Sequence, residues 1–436
     1  MFFNNLLGGG WKGRVSALSS ALSRAVPDPS TMPPISEDRL PSFLARNINE
    51  NDAKMIRKTI EEHRVQWIAG RESERYIEKR KGTHVFLPKN LYYKTNSDVE
   101  QGVEVFIHCE NCVVGSGCDM TYEKALEYWS LKTYVLGITV FQDEIVDGEF
   151  RSGEDRQEAA NHLKNAFDRV KDHPQVVKLH SVFHFSKNLD SGLGLTQCMG
   201  FVFEYCNLGD LEQFQEKGGS LAGREVEQIL IDVASGLEYL HSVGLAHYDM
   251  KEANILLARD EDGKIRAKVG DLGFAGGPEA YSGNGTPIML PPEYWAGYPH
   301  KSEKDYRALN GFDFDKWAYG DVMKWLVSGQ HFIPDDAIAV AEAKGDLESS
   351  ILALKNVFMT VEYPVVERDE EETVGKLCRH LLQLAPKDRP ASMTEVRVRL
   401  EAIHAQELIV TGSVSEVEGS AKPLKITEVE DVSPSE

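Results

Sequence analysis

Strand-forming and helix-forming segments of this 436-residue chain occupy different halves of it, and that segregation restricts how it can fold. Before about residue 205, β-branched and aromatic residues gather in short runs. These are Val103–His108, Thr133–Phe141, Val176–Phe185 and Met199–Tyr205. One helical pattern interrupts them, at about 155–171, with Leu163, Ala166, Phe167 and Val170 on one face. From Asp210 onward the pattern is mostly helical. Val226, Leu230, Val233, Leu237 and Leu240 mark a long amphipathic helix.

The flanks differ from this central part. Residues 1–87 read as an extension. Its first 26 residues carry Lys12, Arg14 and Arg24, several serines and no acid, with Val15, Leu18, Leu22 and Val26 at helical spacing. That pattern suits an organelle transit peptide or a membrane-surface helix, and equally a tail with chance periodicity. The stretch Pro27–Pro41 breaks it. A charged helical segment follows at about 51–81, with a sparse stripe of Ile56, Ile60, Val65 and Ile68. Residues 406–436 are rich in Glu, Ser and Val and read as a disordered acidic tail.

The net charge of −21 argues against nucleic acid as the main partner, because phosphate contacts need a basic face. It is compatible with basic protein substrates. No run of ~18 apolar residues is present to span a membrane. Six scattered cysteines in a chain of this length suggest no disulfide framework. A reducing interior, and so a cytoplasmic location, is expected; the basic N-terminus offers an organelle or membrane surface as the alternative. Cys109 and Cys112, with Cys118 and His108 nearby, could be read as zinc ligands. A structural zinc site needs four closed ligands, and a strand is the better reading of this run.

The helix ending near Leu240 leads into His247-Tyr248-Asp249-Met250-Lys251-Glu252-Ala253-Asn254, and Asp271-Leu272-Gly273 follows. Two acids, an amide and a lysine at these spacings are suited to holding a metal-bound triphosphate beside a hydroxyl nucleophile. Phosphoryl transfer needs a carboxylate to orient the hydroxyl and accept its proton. It also needs oxygen ligands for Mg²⁺ and cations to spread the developing charge. Both acids could instead be buried capping carboxylates.

These residues resemble the eukaryotic protein kinase superfamily, whose motifs read H-R-D-x-K-x-x-N, D-F-G and A-P-E. Pro291-Pro292-Glu293 resembles the third, Asp315-Lys316-Trp317-Ala318-Tyr319-Gly320 the later D-x-W-x-x-G, and Gly285-Thr286-Pro287 the substrate-positioning loop. The resemblance implies an α+β, two-lobed fold over residues 88–405. A β-rich first lobe would take 88–205 and a helical second lobe 206–405, with ATP and Mg²⁺ between them. It implies Asp249 as catalytic base and Lys251 as the γ-phosphate cation, a lysine typical of the serine/threonine branch. Asn254 and Asp271 become metal ligands. Phe203-Glu204-Tyr205-Cys206 resembles the hinge, with Glu204 and Cys206 holding adenine through the backbone, Phe203 as gatekeeper and Asp210 reaching the ribose. Arg389, in Pro386-Lys387-Asp388-Arg389-Pro390, should pair with Glu293 in a buried ion pair.

The first lobe departs from the family pattern. Gly115-Ser116-Gly117 begins a Gly-rich phosphate loop, but Met120 takes the third glycine position. The strand lysine of V-A-I-K falls on Thr139, with Lys132 seven residues earlier. Its acidic partner, counted back from His173-Pro174, falls on Lys164 or Leu163. Two readings follow: Lys164 or Lys132 neutralises phosphate from a new position, or the chain is a pseudokinase serving as a nucleotide-binding or scaffolding module. Tyr248 replaces the arginine that in the family binds a phosphorylated activation segment. Activity should then not depend on such phosphorylation.

Overall fold

A computed structural model of the chain describes residues 92–94, 105–116, 120–127, 133–146, 149–188, 195–260, 262–280, 285–296, 309–343, 347–366 and 371–412, with Lys54 and Lys58. The expectations for residues 1–26, for Pro27–Pro41 and for the tail beyond 412 lie outside these residues, as do Gly117, Cys118 and Lys132. Of the helical segment expected at 51–81, Lys54 and Lys58 are described, and both are helical.

Strands β1 (Tyr92–Lys94), β2 (Val105–Ser116), β3 (Thr121–Glu127) and β4 (Thr133–Val140) pair antiparallel in sequence order. A hairpin of β5 (Glu144–Val146) and β6 (Glu149–Arg151) leads into helix α1 (Gly153–Arg169). Strands β7 (Leu179–Asn188) and β8 (Leu195–Glu204) complete the six-stranded sheet, in the order β1-β2-β3-β4-β8-β7. Ser152 starts α1 with a reciprocal cap: its hydroxyl accepts from the Asp155 N–H at 3.0 Å, and its own N–H donates to the Asp155 carboxylate at 3.0 Å.

Two-residue alternation divides β4 between two environments. Tyr134, Leu136 and Ile138 pack with Ala125, Phe183 and Val202 in a small apolar layer on one face. Val135, Gly137 and Thr139 stand opposite Phe203, Phe201 and Met199 on the other face. There Phe201 and Phe203 join a larger core that includes Leu163 and Phe167 of α1. Two glycines of this sheet leave room for neighbouring side chains. A Cβ on Gly200 would lie 2.2 Å from the Phe183 ring, and one on Gly137 only 2.5 Å from the Met120 sulfur.

From β9 (Gly209–Asp210) the chain is mostly helical, as its periodicity predicts. Helix α2 (Leu211–Glu216) precedes the long α3 (Gly223–Ser242), whose buried stripe includes Leu230, Val233, Leu237 and Leu240. Strands β10 (Ile255–Arg259) and β11 (Ile265–Val269) form a hairpin joined by β9. Then come α4 (Pro292–Trp295), α5 (Gly311–Ser328), α6 (Asp335–Glu342), α7 (Leu347–Thr360), α8 (Val374–Leu381) and α9 (Met393–Gly412). Helix α5 starts at the Asn310 cap and stops at Gly329, whose left-handed φ of 74° suits the residue without a Cβ. Helix α9 continues past the boundary expected at 405, because Ala405, Gln406, Glu407 and Leu408 are helix formers with no breaker among them. Cys109 and Cys112 both lie within β2, as the strand reading expected.

Candidate active site

The loop between α3 and β10 carries the candidate catalytic residues, and α5 holds it from below. The Asp315 carboxylate accepts from the N–H groups of His247 at 2.7 Å and Tyr248 at 2.9 Å, and lies 2.8 Å from the His241 ring. His247 is fully buried. Its Nδ1 accepts from the Asp249 N–H at 3.2 Å, so its Nε2 donates to the Gly270 carbonyl at 2.7 Å. One neutral ring thereby ties the loop to the turn bearing Asp271.

Asp249 is nearly fully buried, and both of its oxygens are bonded. Oδ1 accepts from the Thr286 N–H at 2.9 Å and the Thr286 hydroxyl at 2.8 Å. Oδ2 lies 2.9 Å from the Lys251 ammonium and accepts from the Asn254 amide at 3.2 Å. Lys251 also donates to the Thr286 hydroxyl at 3.0 Å. These donors hold the carboxylate in one orientation. Thr286 is the residue that motif reading undervalued. It looked like part of a positioning loop, yet it bridges both catalytic candidates.

Asn254 and Asp271 fit a divalent cation. The Asn254 amide nitrogen donates to the Asp249 carbonyl at 2.6 Å and to its carboxylate, while its Oδ1 is buried with no hydrogen-bond partner. A buried, unpaired amide oxygen is costly unless something electropositive completes it. Asp271 is 3% exposed and has a left-handed φ of 47°, and its Oδ1 accepts from the Gly273 N–H at 3.0 Å. Among the described residues, no group of three or more His, Cys, Asp or Glu side chains could hold a metal. Two protein oxygen ligands suit Mg²⁺, which usually completes its shell with waters and substrate phosphates.

The first lobe presents a different picture. Gly115 lies in β2 opposite Tyr122. Thr139, at the expected lysine position, is 1% exposed and its hydroxyl has no partner. Over Gly137, the Met120 sulfur and the rings of Phe203 and Tyr122 close the space to apolar contact. Phe203 is buried at 0% exposure, consistent with a core aromatic as well as a gatekeeper. Lys164 does not enter this region. Its ammonium pairs with Asp168 at 3.0 Å on the exposed side of α1, because position 164 follows the buried Leu163 off the core-facing stripe. The expectation that Lys164 grips phosphate therefore lacks structural support. Lys124, unmarked by any motif, stands opposite Val135 on the sheet face that carries Phe203, its ammonium 4.9 Å from the Tyr205 ring.

The hinge residues are firmly placed. The Glu204 carboxylate accepts from the Lys178 N–H at 2.6 Å and from the Lys268 ammonium at 2.9 Å, and its own backbone N–H donates to the Lys178 carbonyl at 2.9 Å. Burial, then the Glu204 charge, pushes the Cys206 thiol up to about 12, so it is not a reactive thiolate. Asp210 caps α2, its Oδ1 accepting from the Gln213 N–H at 2.7 Å.

The expected Arg389–Glu293 pair is present and bidentate, at 2.8 and 2.7 Å. A smaller charged cluster lies beside Lys251. His331 sits 3.3 Å from the buried Asp321 carboxylate. Burial alone would lower its pKa, but the Asp321 hydrogen bond and the charges of Glu252, Asp321 and Asp335 raise it to about 9. The folded state thus holds this proton more tightly than the unfolded chain. Its stabilisation is complete below about pH 6.5 and is lost as pH rises through 9, amounting to about 3 kcal/mol at most. Thermal unfolding scanned from pH 6.5 to 9 should show a falling midpoint, and His331→Gln should flatten that slope. A wild-type midpoint independent of pH in this window would contradict the assignment.

The protein kinase domain family matches residues 149–399, so β1 to β5 precede the match. Over 168 residues the chain is 34% identical to a dual serine/threonine and tyrosine protein kinase of Gallus gallus, covering 35% of this chain and 16% of that protein. It is 31% identical over 239 residues to LysM domain receptor-like kinase 10 of Oryza sativa subsp. japonica, covering 49% and 36%. It is 26% identical over 197 residues to serine/threonine-protein kinase ATG1b of Arabidopsis thaliana, covering 44% and 24%. The chain spans well under half the length of each of these relatives.

Proposed function

We propose that this chain, which belongs to the protein kinase family, transfers the γ-phosphoryl group of ATP to serine or threonine hydroxyls of protein substrates. One observation carries this reading: the buried Asp249 carboxylate is oriented by four hydrogen-bonding or ion-pair contacts from Thr286, Lys251 and Asn254. A carboxylate that only capped a turn would need no lysine at its far oxygen.

In the proposed reaction Asp249 aligns the substrate hydroxyl and takes its proton. The hydroxyl oxygen bonds to the γ-phosphorus as the bond from that phosphorus to the β,γ-bridging oxygen breaks, and ADP leaves. Lys251 stands within reach of both Asp249 and Thr286, where it can offset charge on the transferring group. Asn254 and Asp271 would hold Mg²⁺, which when bound supplies charge neutralisation to the phosphates. Backbone groups at Glu204 and Cys206 would take the adenine. The continuous sheet from β1 to β8 supports counting residues from 88 onward in the catalytic domain, and α9 extends that domain to 412.

A second reading is favoured by Thr139 and by the apolar closure over Gly137. The family's strand lysine has no counterpart at that position, and one lost electrostatic contact of this kind can cost ~3–4 kcal/mol of barrier. A thermal-shift titration separates the two readings. Catalysis predicts a rise in midpoint with ATP that is larger when Mg²⁺ is present. A rise indifferent to Mg²⁺ would point to a nucleotide-binding pseudokinase. No rise at all would leave a scaffold and overturn the catalytic reading.

A further inference from the structure

Four consecutive carbonyl oxygens just after Asp271-Leu272-Gly273 accept hydrogen bonds from three different parts of the protein. Ala275 faces the His162 ring of α1 at 3.0 Å. Gly276 accepts from the Ala246 N–H at 2.7 Å, and its own N–H returns a bond to the Ala246 carbonyl at 2.9 Å. Gly277 accepts from the Tyr248 hydroxyl at 2.6 Å. Pro278 accepts from the Gly311 N–H, at the start of α5, at 2.7 Å. The run 275–280 is therefore stitched to α1, to the catalytic loop and to α5 at once.

Tyr248 is the unusual member of this set. Its backbone is left-handed, with φ 63°, a conformation that costs a bulky residue about 1–3 kcal/mol unless its surroundings enforce it. Asp315 enforces it by binding the Tyr248 N–H. The turn sends the ring across the catalytic loop to Phe314, with which it makes an edge contact at 6.0 Å. Gly311 leaves the hydroxyl its space: a Cβ there would lie 2.3 Å from the Tyr248 oxygen. Loop, ring and glycine together aim one hydroxyl at one carbonyl.

We propose that Tyr248 is a positioning residue whose hydroxyl fastens residues 276–280 to the catalytic loop, so that this segment is ordered without being phosphorylated. The idea rests on the kinase reading above and adds the device that performs the ordering. The same run leads on to Thr286, whose N–H and hydroxyl hold Asp249. Thr286 itself is buried and bonded to both Asp249 and Lys251, which makes it a poor acceptor for phosphate.

The decisive test is Tyr248→Phe, which keeps the ring against Phe314 and deletes only the hydroxyl. Amide hydrogen exchange at residues 276–280 should accelerate roughly two- to tenfold, the equivalent of one net hydrogen bond, while α3 and α9 keep their protection. Gly311→Ala, which displaces the hydroxyl sterically, should give the same local signature. In an active preparation Tyr248→Phe should lower kcat and raise the KM for protein substrate with the KM for ATP unchanged. Phosphatase treatment of the wild type should leave activity intact. Unchanged exchange at 276–280 in Tyr248→Phe, acceleration spread evenly over the second lobe, or activity lost on phosphatase treatment would each overturn the proposal. If the wild type transfers no phosphate at all, the kinase reading fails, and the exchange experiment still decides whether Tyr248 fastens the segment.

Discussion

Asp249→Asn is expected to lower phosphoryl transfer by about 10²–10⁴-fold or more, the range for removing a positioned general base. The substitution keeps the size of the side chain but replaces an acceptor oxygen with a donor NH₂. Oδ1 meets the Thr286 N–H and hydroxyl, while Oδ2 meets Lys251 and Asn254, so either orientation of the amide sets donor against donor. The proton acceptor is lost and the loop is perturbed together. Turnover with Mg²⁺-ATP and phosphoamino-acid analysis of the product measure the first effect, and a thermal midpoint measures the second. Transfer to serine or threonine that persists at the wild-type rate in Asp249→Asn would remove Asp249 from the mechanism.

Arg389→Met is expected to destabilise the second lobe by about 3–5 kcal/mol, the usual cost of leaving a buried charge without its partner. The Arg389 side chain is 0% exposed, and its guanidinium forms two bonds to Glu293. It also donates to the carbonyls of Gln383 at 3.0 Å and Asp313 at 3.2 Å, and lies 5.1 Å from the Trp317 ring. These contacts join α4, α5 and the loop after α8. The midpoint should fall by roughly 6–20 °C. The double variant Arg389→Met/Glu293→Met should recover part of that loss, because removing both charges also removes the stranded one. A single variant within about 1 kcal/mol of wild type would mean the pair is solvated rather than structural.

Legibility in the sequence followed the range of the interactions. Helix α3, the strands β4 and β8, and the set from His247 to Asn254 were readable because their signals lie within a few residues of one another. The Arg389–Glu293 pair was readable only through family resemblance, since 96 positions separate the two. Thr286 was recognised as a loop residue but not as the partner of Asp249, 37 positions away. The stitching of residues 275–278 was not readable at all. Its donors come from α1, the catalytic loop and α5, and nothing in local periodicity marks a carbonyl that will be used.

Lys164 and Thr139 show the converse. Counting along the chain put Lys164 or Leu163 where the family has an acid and Thr139 where it has a lysine. What counting could not supply was direction. Lys164 turns outward to Asp168, and the face of β4 around Gly137 is closed by Met120, Tyr122 and Phe203.

The residues from His247 to Asn254 were determined by the sequence alone. Their chemistry depends on side-chain type and on spacings shorter than ten residues within the loop, which every conformation of the chain preserves. The tertiary structure alone decided how they are held. The bonds to Asp249, the unpaired Asn254 oxygen and the Tyr248 hydroxyl on Gly277 exist only because packing of α1, α5 and the sheet brings distant donors and acceptors within about 3 Å.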